Sequence, residues 1–246
     1  MMEMNKVKLI CLPYAGGSAS VFAKWRQYLD PMIELKPIEL AGRGRRIQDE
    51  MYDNLDEAIE DVYQLIRPDI ESGSYVLTGH SLGAKMCYFL AQKIRKANLP
   101  MPLHIFFSGT GAPHLKSRDD KKYHLMDDET FRKEVLELGG TPPEFFEYPE
   151  LLELFIPLLK NDFKIFETHP LREEIRPLDQ DISVFLGNED DLTEQQCTEW
   201  VLHTSRKCDT SYFEGGHFFI HDHVEEITKK INKRVLESLT AAVRIQ

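Results

Sequence analysis

The sequence predicts an α/β fold. It is read as one domain of 246 residues, a mostly parallel sheet with helices on both faces and a helical insertion. Three observations predict it. Short apolar runs bounded by glycine and proline alternate with segments at helical spacing. A Gly-x-Ser-x-Gly pentapeptide stands where a strand pattern runs directly into a helix pattern. About seventy residues between the fourth and fifth strand patterns have helical periodicity and no clear strand, far more than a simple crossover needs.

Val7–Leu12 is an apolar run ended by Pro13, Gly16 and Gly17, which reads as a buried strand. Phe22–Leu29 has a helical pattern. Glu34–Leu40 is the second strand, closed by the glycines and arginines of Ala41–Arg46. Asn54–Ile66 places Leu55, Ile59, Val62 and Ile66 on one helical face, with Pro68 as its stop. Tyr75–Thr78, His104–Phe107, Ile182–Leu186 and Thr210–Phe213 complete the strands. Ala84–Lys96 and Val224–Leu239 are the remaining helices of the repeat. In the insertion, Asp128–Leu138, Tyr148–Leu159 and Asp162–Thr168 are helical patterns rich in large apolar residues, among them Phe131, Phe145, Phe146, Leu151, Leu154 and Phe155. A bundle of this kind, lying between two strands near the edge of the sheet where ligands bind, reads as a lid over residues 115–170.

Composition narrows the function. Hydrophobic residues make up 42% and charged residues 29%, an ordinary globular balance. Lys+Arg total 30 against 41 Asp+Glu, a net charge of -11, which disfavours nucleic acid or an anionic membrane as partner. No apolar run approaches the ~18 residues of a membrane span, and the first residues do not form a secretory signal. The expected location is the cytosol. The four cysteines, Cys11, Cys87, Cys197 and Cys208, show no Cys-x-x-Cys spacing and read as reduced thiols.

Gly79-His80-Ser81-Leu82-Gly83 carries the chemistry. A serine at a tight strand-to-helix turn is lifted above the sheet, and the helix N-terminus favours the negative charge that develops beside it. A serine hydroxyl is a weak nucleophile and needs a base, itself oriented by an acid. Of nine histidines, His217 is the best base, because Glu214-Gly215-Gly216-His217 is a glycine-flanked loop after the last strand pattern. His221 and His223 read as polar surface, with no cysteine or carboxylate cluster to make them a metal site. The acid follows the fifth strand in Gly187-Asn188-Glu189-Asp190-Asp191. Asp190 is the first choice and Asp191 the second. The oxyanion would be held by the N–H of Leu82 and an N–H of the Pro13-Tyr14-Ala15-Gly16-Gly17 loop, first of all Ala15, with Tyr14 or Gly16 as alternatives.

In chain order, these segments resemble a known family. Leu12-Pro13-Tyr14-Ala15-Gly16-Gly17-Ser18-Ala19, Glu39-Leu40-Ala41-Gly42-Arg43-Gly44, Gly79-His80-Ser81-Leu82-Gly83-Ala84, Leu138-Gly139-Gly140-Thr141-Pro142-Pro143-Glu144 and Gly215-Gly216-His217-Phe218-Phe219 are similar to the motifs of type II thioesterases. These are free-standing α/β-hydrolases that accompany nonribosomal peptide and polyketide synthases. The resemblance implies an α/β-hydrolase fold and hydrolysis of acyl or aminoacyl thioesters from the phosphopantetheine arm of carrier protein domains. It implies an editing role and supports Ser81, Asp190 and His217 as the triad, with Ala15 and Leu82 as oxyanion donors. Ala41 stands where the family usually has proline, Lys160-Asn161-Asp162 where it often has Arg-Ala-Asp, and Leu82 where it often has methionine. These departures bear on the lid and on acyl preference.

On this reading no cofactor is needed, since the carrier brings the phosphopantetheine. The partner is an acyl or peptidyl carrier domain supplied in trans, and the enzyme itself is expected to be a monomer. Alternatives are a thioesterase releasing medium-chain fatty acids, a small-ester carboxylesterase, or an inactive hydrolase fold used for binding. Arg43, Arg45, Arg46, Lys116, Arg118, Lys121 and Lys122 are the basic residues that could gather at the entrance and receive an acidic carrier.

Overall fold

The computed structural model describes residues 6–116, 121–140, 148–170 and 174–243. The strands are β1 (Val7–Leu12), β2 (Ile33–Pro37), β3 (Tyr75–His80), β4 (Ile105–Ser108), β5 (Ile182–Gly187) and β6 (Cys208–Phe213). They form one sheet in the order β2-β1-β3-β4-β5-β6, with every neighbouring pair parallel. The helices are α1 (Leu55–Ser72), α2 (Leu82–Lys96), α3 (Asp128–Leu138), α4 (Pro149–Thr168), α5 (Glu194–Thr198) and α6 (Val224–Val243).

Alternation along each strand divides the core into two layers. Ile10 and Leu12 of β1, Leu77 of β3 and Val184 of β5 pack with Leu55, Val62 and Ile66 of α1 and Met86 and Leu90 of α2. Val7, Leu9 and Cys11, with Val76 and Phe106, face Ile227, Ile231 and Val235 of α6 on the other side. Both faces are apolar because both are covered, so the central strands β1, β3, β4 and β5 read as nearly continuous hydrophobic runs. The chain leaves β1 in one direction to make β2 and returns on the other side of β1 to make β3. That reversal opens a crevice at the carboxyl ends of β1 and β3, the place where open α/β sheets bind ligands.

Several elements differ from expectation, each for a local reason. Phe22–Leu29 is not an α-helix. Ala19–Gln27 forms a 3₁₀ helix, whose three-residue turn puts Phe22 and Trp25 on one buried face. Strand β2 stops at Pro37 rather than Leu40. Proline is tolerated there because β2 is an edge strand, and Ile38 N–H still bonds the Cys11 carbonyl at 2.9 Å. Pro68 does not end α1, which runs to Ser72. Pro68 and Gln64, whose carbonyl loses its partner, both face solvent, while Asp69 and Ile70 beyond them are buried. Lys36 holds Asp69 at 2.8 Å. The two helical patterns expected at 148–159 and 162–168 are one helix, α4, which passes through the exposed Pro157 in the same way.

The insertion has its own apolar cluster, made by Phe131 and Val135 of α3 and Leu152, Ile156 and Leu159 of α4. Leu151 and Leu154, two of the large apolar residues of the insertion, are exposed. Phe145, Phe146 and the Thr141-Pro142-Pro143 bend lie outside the described residues. All four cysteines are free thiols.

Two buried histidines link neighbouring elements, one within the sheet and one between helical segments. His104 Nε2 meets Ser183 Oγ at 2.9 Å, and His203 Nδ1 meets Tyr88 OH at 3.0 Å. Burial lowers the pKa of each to about 4, helped at His203 by the charge of His114. Unfolded histidine takes up a proton near its ordinary pKa of about 6.5, so between pH 6.5 and 4 the unfolded chain binds more protons. Stability should therefore fall as the pH drops through that window, by up to about 3 kcal/mol for each group. Melting curves from pH 7.5 to 4 are expected to show this loss, and His104→Gln should make the profile shallower.

Candidate active site

Ser81 sits between β3 and α2 with φ 53 and ψ -115, a backbone conformation that non-glycine residues rarely adopt. Its neighbours explain why the turn is held. A Cβ at Gly79 would come within 2.2 Å of the Gly83 carbonyl oxygen, and one at Gly83 within 2.1 Å of the Leu12 carbonyl oxygen. The glycines therefore let α2 start directly against β3 and the end of β1. Ser81 N–H donates to the Ser108 carbonyl at 2.8 Å, which ties the turn to β4.

The loops after β5 and β6 also meet through glycine. A Cβ at Gly187 would lie 2.4 Å from the Gly216 carbonyl oxygen. Gly215 N–H donates to Asn188 Oδ1 at 3.1 Å, and Glu189 N–H to the Gly215 carbonyl at 3.0 Å. This seam brings Asp190 to His217: Nδ1 lies 3.0 Å from Oδ2 and 3.2 Å from Oδ1. Asp190 is 8% exposed and His217 25%. A carboxylate at Nδ1 selects the tautomer with the proton there and leaves Nε2 as the free base. Glu189 and Asp191 are exposed, and neither makes this contact.

Ser81, Asp190 and His217 line one cavity of about 860 Å³. Ala15 of the first loop lines it too, and Val135, Phe155, Leu159 and Phe163 of α3 and α4 supply an apolar wall. The loop after β1 discriminates among the expected oxyanion donors. Gly16 N–H is committed to Asp162 Oδ2 at 2.7 Å, and Gly17 N–H to the Tyr14 carbonyl at 2.9 Å. Leu82 is the first residue of α2, where no intrahelical carbonyl reaches its N–H.

Comparison with known proteins agrees with this arrangement. Residues 7–235 match the family model of the thioesterase domain. The chain belongs to the thioesterase family. The gramicidin S biosynthesis protein GrsT of Aneurinibacillus migulanus is 32% identical over 231 residues, covering 94% of this chain and 89% of that protein. The medium-chain S-acyl fatty acid synthase thioesterase of Rattus norvegicus is 33% identical, covering 87% and 81%. Among solved structures, ClbQ from the colibactin nonribosomal peptide/polyketide pathway superposes with a TM-score of 0.90 at 34% identity, covering 96% of this chain and 99% of that one. The fold is thus that of an α/β-hydrolase.

The thioesterase also contains a feature that its sequence did not disclose. Arg43, 4% exposed, and Asp162, 0% exposed, form a bidentate ion pair with both bonds at 2.7 Å. Arg43 further donates to the Gly17 carbonyl at 3.1 Å and the Ala41 carbonyl at 3.3 Å. Arg43 therefore does not belong to an entrance patch. Nor does Arg46, which is bonded to Asp49 and Asp61. Lys121 pairs with Glu134 at 2.8 Å, Arg118 lies outside the described residues, and Lys116 and Lys122 remain at the cavity.

Nor are the later histidines idle surface. His221 Nε2 meets Tyr14 OH at 2.9 Å, and His223 Nε2 donates to the Glu214 carbonyl at 2.9 Å, bracing the loops on either side of His217. Among the described residues no group of three histidine, cysteine or acidic side chains could hold a metal ion.

Removing one member of a buried ion pair leaves the other charge uncompensated, at a cost of about 3–5 kcal/mol. Asp162→Ala should lose that much in urea denaturation. Arg43→Met combined with Asp162→Leu should recover a large part of it.

Proposed function

We propose that this thioesterase is a free-standing type II enzyme that removes acyl or aminoacyl groups from the phosphopantetheine arm of carrier domains in nonribosomal peptide or polyketide synthesis. The observation that supports it best is Ser81, at a strained turn, in one cavity with the His217–Asp190 pair. In this reading Ser81 Oγ attacks the thioester carbonyl while His217 Nε2 takes its proton. The oxyanion is received by the N–H groups of Ala15 and Leu82. His217 then protonates the departing sulfur, leaving an acyl-enzyme. Water, deprotonated by His217, releases the acid and restores the serine. Asp190 orients the ring and stabilises the imidazolium throughout.

The helices over the cavity act as the lid, within one domain. The chemistry runs on the protein's own side chains and backbone amides, and the substrate brings the phosphopantetheine. We place the enzyme in the cytosol as a monomer that receives its carrier in trans. No helix among the described residues is long and apolar enough to cross a membrane. Similarity to a medium-chain fatty acid synthase thioesterase keeps fatty acyl release as the second reading.

Ser81→Ala should lower thioester turnover by at least about 10³-fold while leaving the melting temperature near that of the wild type. Asp190→Asn should lower kcat by about 10³–10⁴-fold, because the wrong histidine tautomer results. Asp191→Asn should do far less, and the reverse order would name Asp191 as the acid.

The function itself is tested with one short acyl group presented on a carrier protein and on coenzyme A. Higher kcat/KM on the carrier is the expected result. No preference, together with faster hydrolysis as the chain lengthens to medium-chain acyl groups, would support the second reading instead.

A further inference from the structure

One cation in the cavity wall has no part in the steps above. Lys85 stands one helical turn beyond Ser81 on α2, on the same face of the helix, and lines the cavity. Its ammonium donates to the Phe166 carbonyl at 2.8 Å and lies 4.1 Å from the centre of the Phe166 ring. Those contacts use one of its three protons and one face. Among the described residues, no carboxylate lies within ion-pair distance of it.

Its surroundings add positive charge. Lys116 and Lys122 line the same cavity, and neither has an ion-pair partner among the described residues. The nearby carboxylate of Glu167 is already occupied, by His124 Nδ1 at 2.5 Å and Tyr123 N–H at 3.0 Å. Asp190 is committed to His217. Burial first, and then the like charge of Lys122, pulls the Lys85 pKa down to about 8. Glu167, Asp190 and Asp191 also line the cavity, but none of them pairs with Lys85. In a protein carrying a net charge of -11, a cationic group beside a nucleophile is not a consequence of bulk composition.

We infer that Lys85, supported by Lys122, forms an anion subsite in the thioester cavity, so that the enzyme prefers acyl groups bearing a carboxylate, that is, half-thioesters of dicarboxylic acids. The inference rests on the thioesterase reading given above. The acyl group is favoured over the arm's phosphodiester as the source of the charge because Lys85 begins one helical turn from the nucleophile. The phosphodiester lies at the far end of the arm, two amide units beyond the sulfur. A carboxylate here would take the two unused ammonium protons in charge-assisted hydrogen bonds.

The test crosses the two sources of charge. Propionyl and malonyl groups, near-equal in length, are each attached to pantetheine and to 4′-phosphopantetheine, and kcat/KM is measured for all four. The malonyl thioesters are expected to be preferred by roughly tenfold or more with either arm. Lys85→Met should bring that ratio close to one, and Lys122→Gln should reduce it. Because Lys85 also anchors α4, Lys122→Gln serves as the variant least able to disturb folding. Ser81→Ala, which cannot turn substrate over, is used in calorimetry with malonyl- and propionyl-pantetheine. Tighter binding of the malonyl compound would support the subsite even if no hydrolysis of any thioester were found, a result that would overturn the thioesterase reading alone. Equal handling of the two acyl groups, or a ratio untouched by both lysine substitutions, overturns the proposal. A preference that follows the arm's phosphate alone overturns the acyl assignment and gives the subsite to the phosphodiester.

Discussion

The Arg43–Asp162 pair is the contact on which the geometry of the cavity depends. It joins three segments far apart in the chain: the loop after β1, the loop after β2, and α4. One carboxylate oxygen of Asp162 serves both Arg43 and the Gly16 N–H. The loop backbone is therefore held by α4 as well as by the loop after β2. A pair this deeply buried is weak evidence of net stability, since desolvating two charges offsets much of their attraction. Its effect is specificity. Only one relative placement of the three segments satisfies every donor and acceptor, and that placement sets where the N–H groups of Tyr14, Ala15 and Gly16 can point. Asp162 removes Gly16 from the choice of oxyanion donors, which leaves Ala15 and Tyr14, both with Ser81 in the cavity lining.

Around that fixed point the site is assembled by close backbone approach rather than by long side chains. Gly79 and Gly83 let α2 begin against β3 and the end of β1, and Gly187 lets the two last loops touch. His80 fills the space beneath. It is fully buried, with Nδ1 2.8 Å from Ser108 Oγ and its ring 5.1 Å from that of His217. Burial, then the nearby His217 charge, drives its pKa well below the ordinary histidine range. It thus stays neutral under the base and does not add repulsion when His217 becomes an imidazolium.

The legible parts of this structure are those whose cause is local. The central strands announced themselves because a parallel sheet covered on both faces makes each of them a continuous apolar run, while the edge strands β2 and β6 are partly exposed and mixed in sequence. The turn around Ser81 was legible because its glycines, its serine and the flanking strand and helix are contiguous. That His217 and Asp190 would meet was legible because their loops follow recognisable strands in a fixed order. The Arg43–Asp162 pair was not, since its members are separated by 119 residues and nothing in either neighbourhood marks a buried charge. Lys85 did leave a signal, its place four residues after Ser81, but only the fold shows that this helix face meets a cavity rather than solvent. Pro68 and Pro157 misled for a different reason. Proline stops a helix when the orphaned carbonyl is buried, and here both carbonyls lie on faces that the sequence pattern alone did not identify as wet.

The same contacts determine which part of the insertion is a fixed wall. Helix α4 is tied to the body of the fold at successive turns: Asp162 to Arg43, Asn161 Nδ2 to the Tyr52 carbonyl at 3.1 Å, and the Phe166 carbonyl to Lys85. Shifting it would strip the counter-charge from a buried guanidinium. Helix α3 has no such tie to the sheet in its described contacts. It is held against α4 by Phe131 and Val135 and by the exposed Asp128–Lys160 ion pair at 2.6 Å, and Gly139 and Gly140 follow it with φ of 77 and 79. Apolar packing of two side chains is lost gradually as surfaces separate, whereas a buried ion pair is lost at a single step and at high cost. Gly140 rests on the ring of Phe218, the residue after His217, where a Cβ would come within 2.4 Å of the ring. Movement of α3 would therefore bear on the loop that carries His217, while α4 is fixed to the loop after β1 through Asp162. Phe218 also meets the ring of Tyr14, 5.0 Å away in the loop after β1, so the α3 side and that loop both bear on the residue after His217.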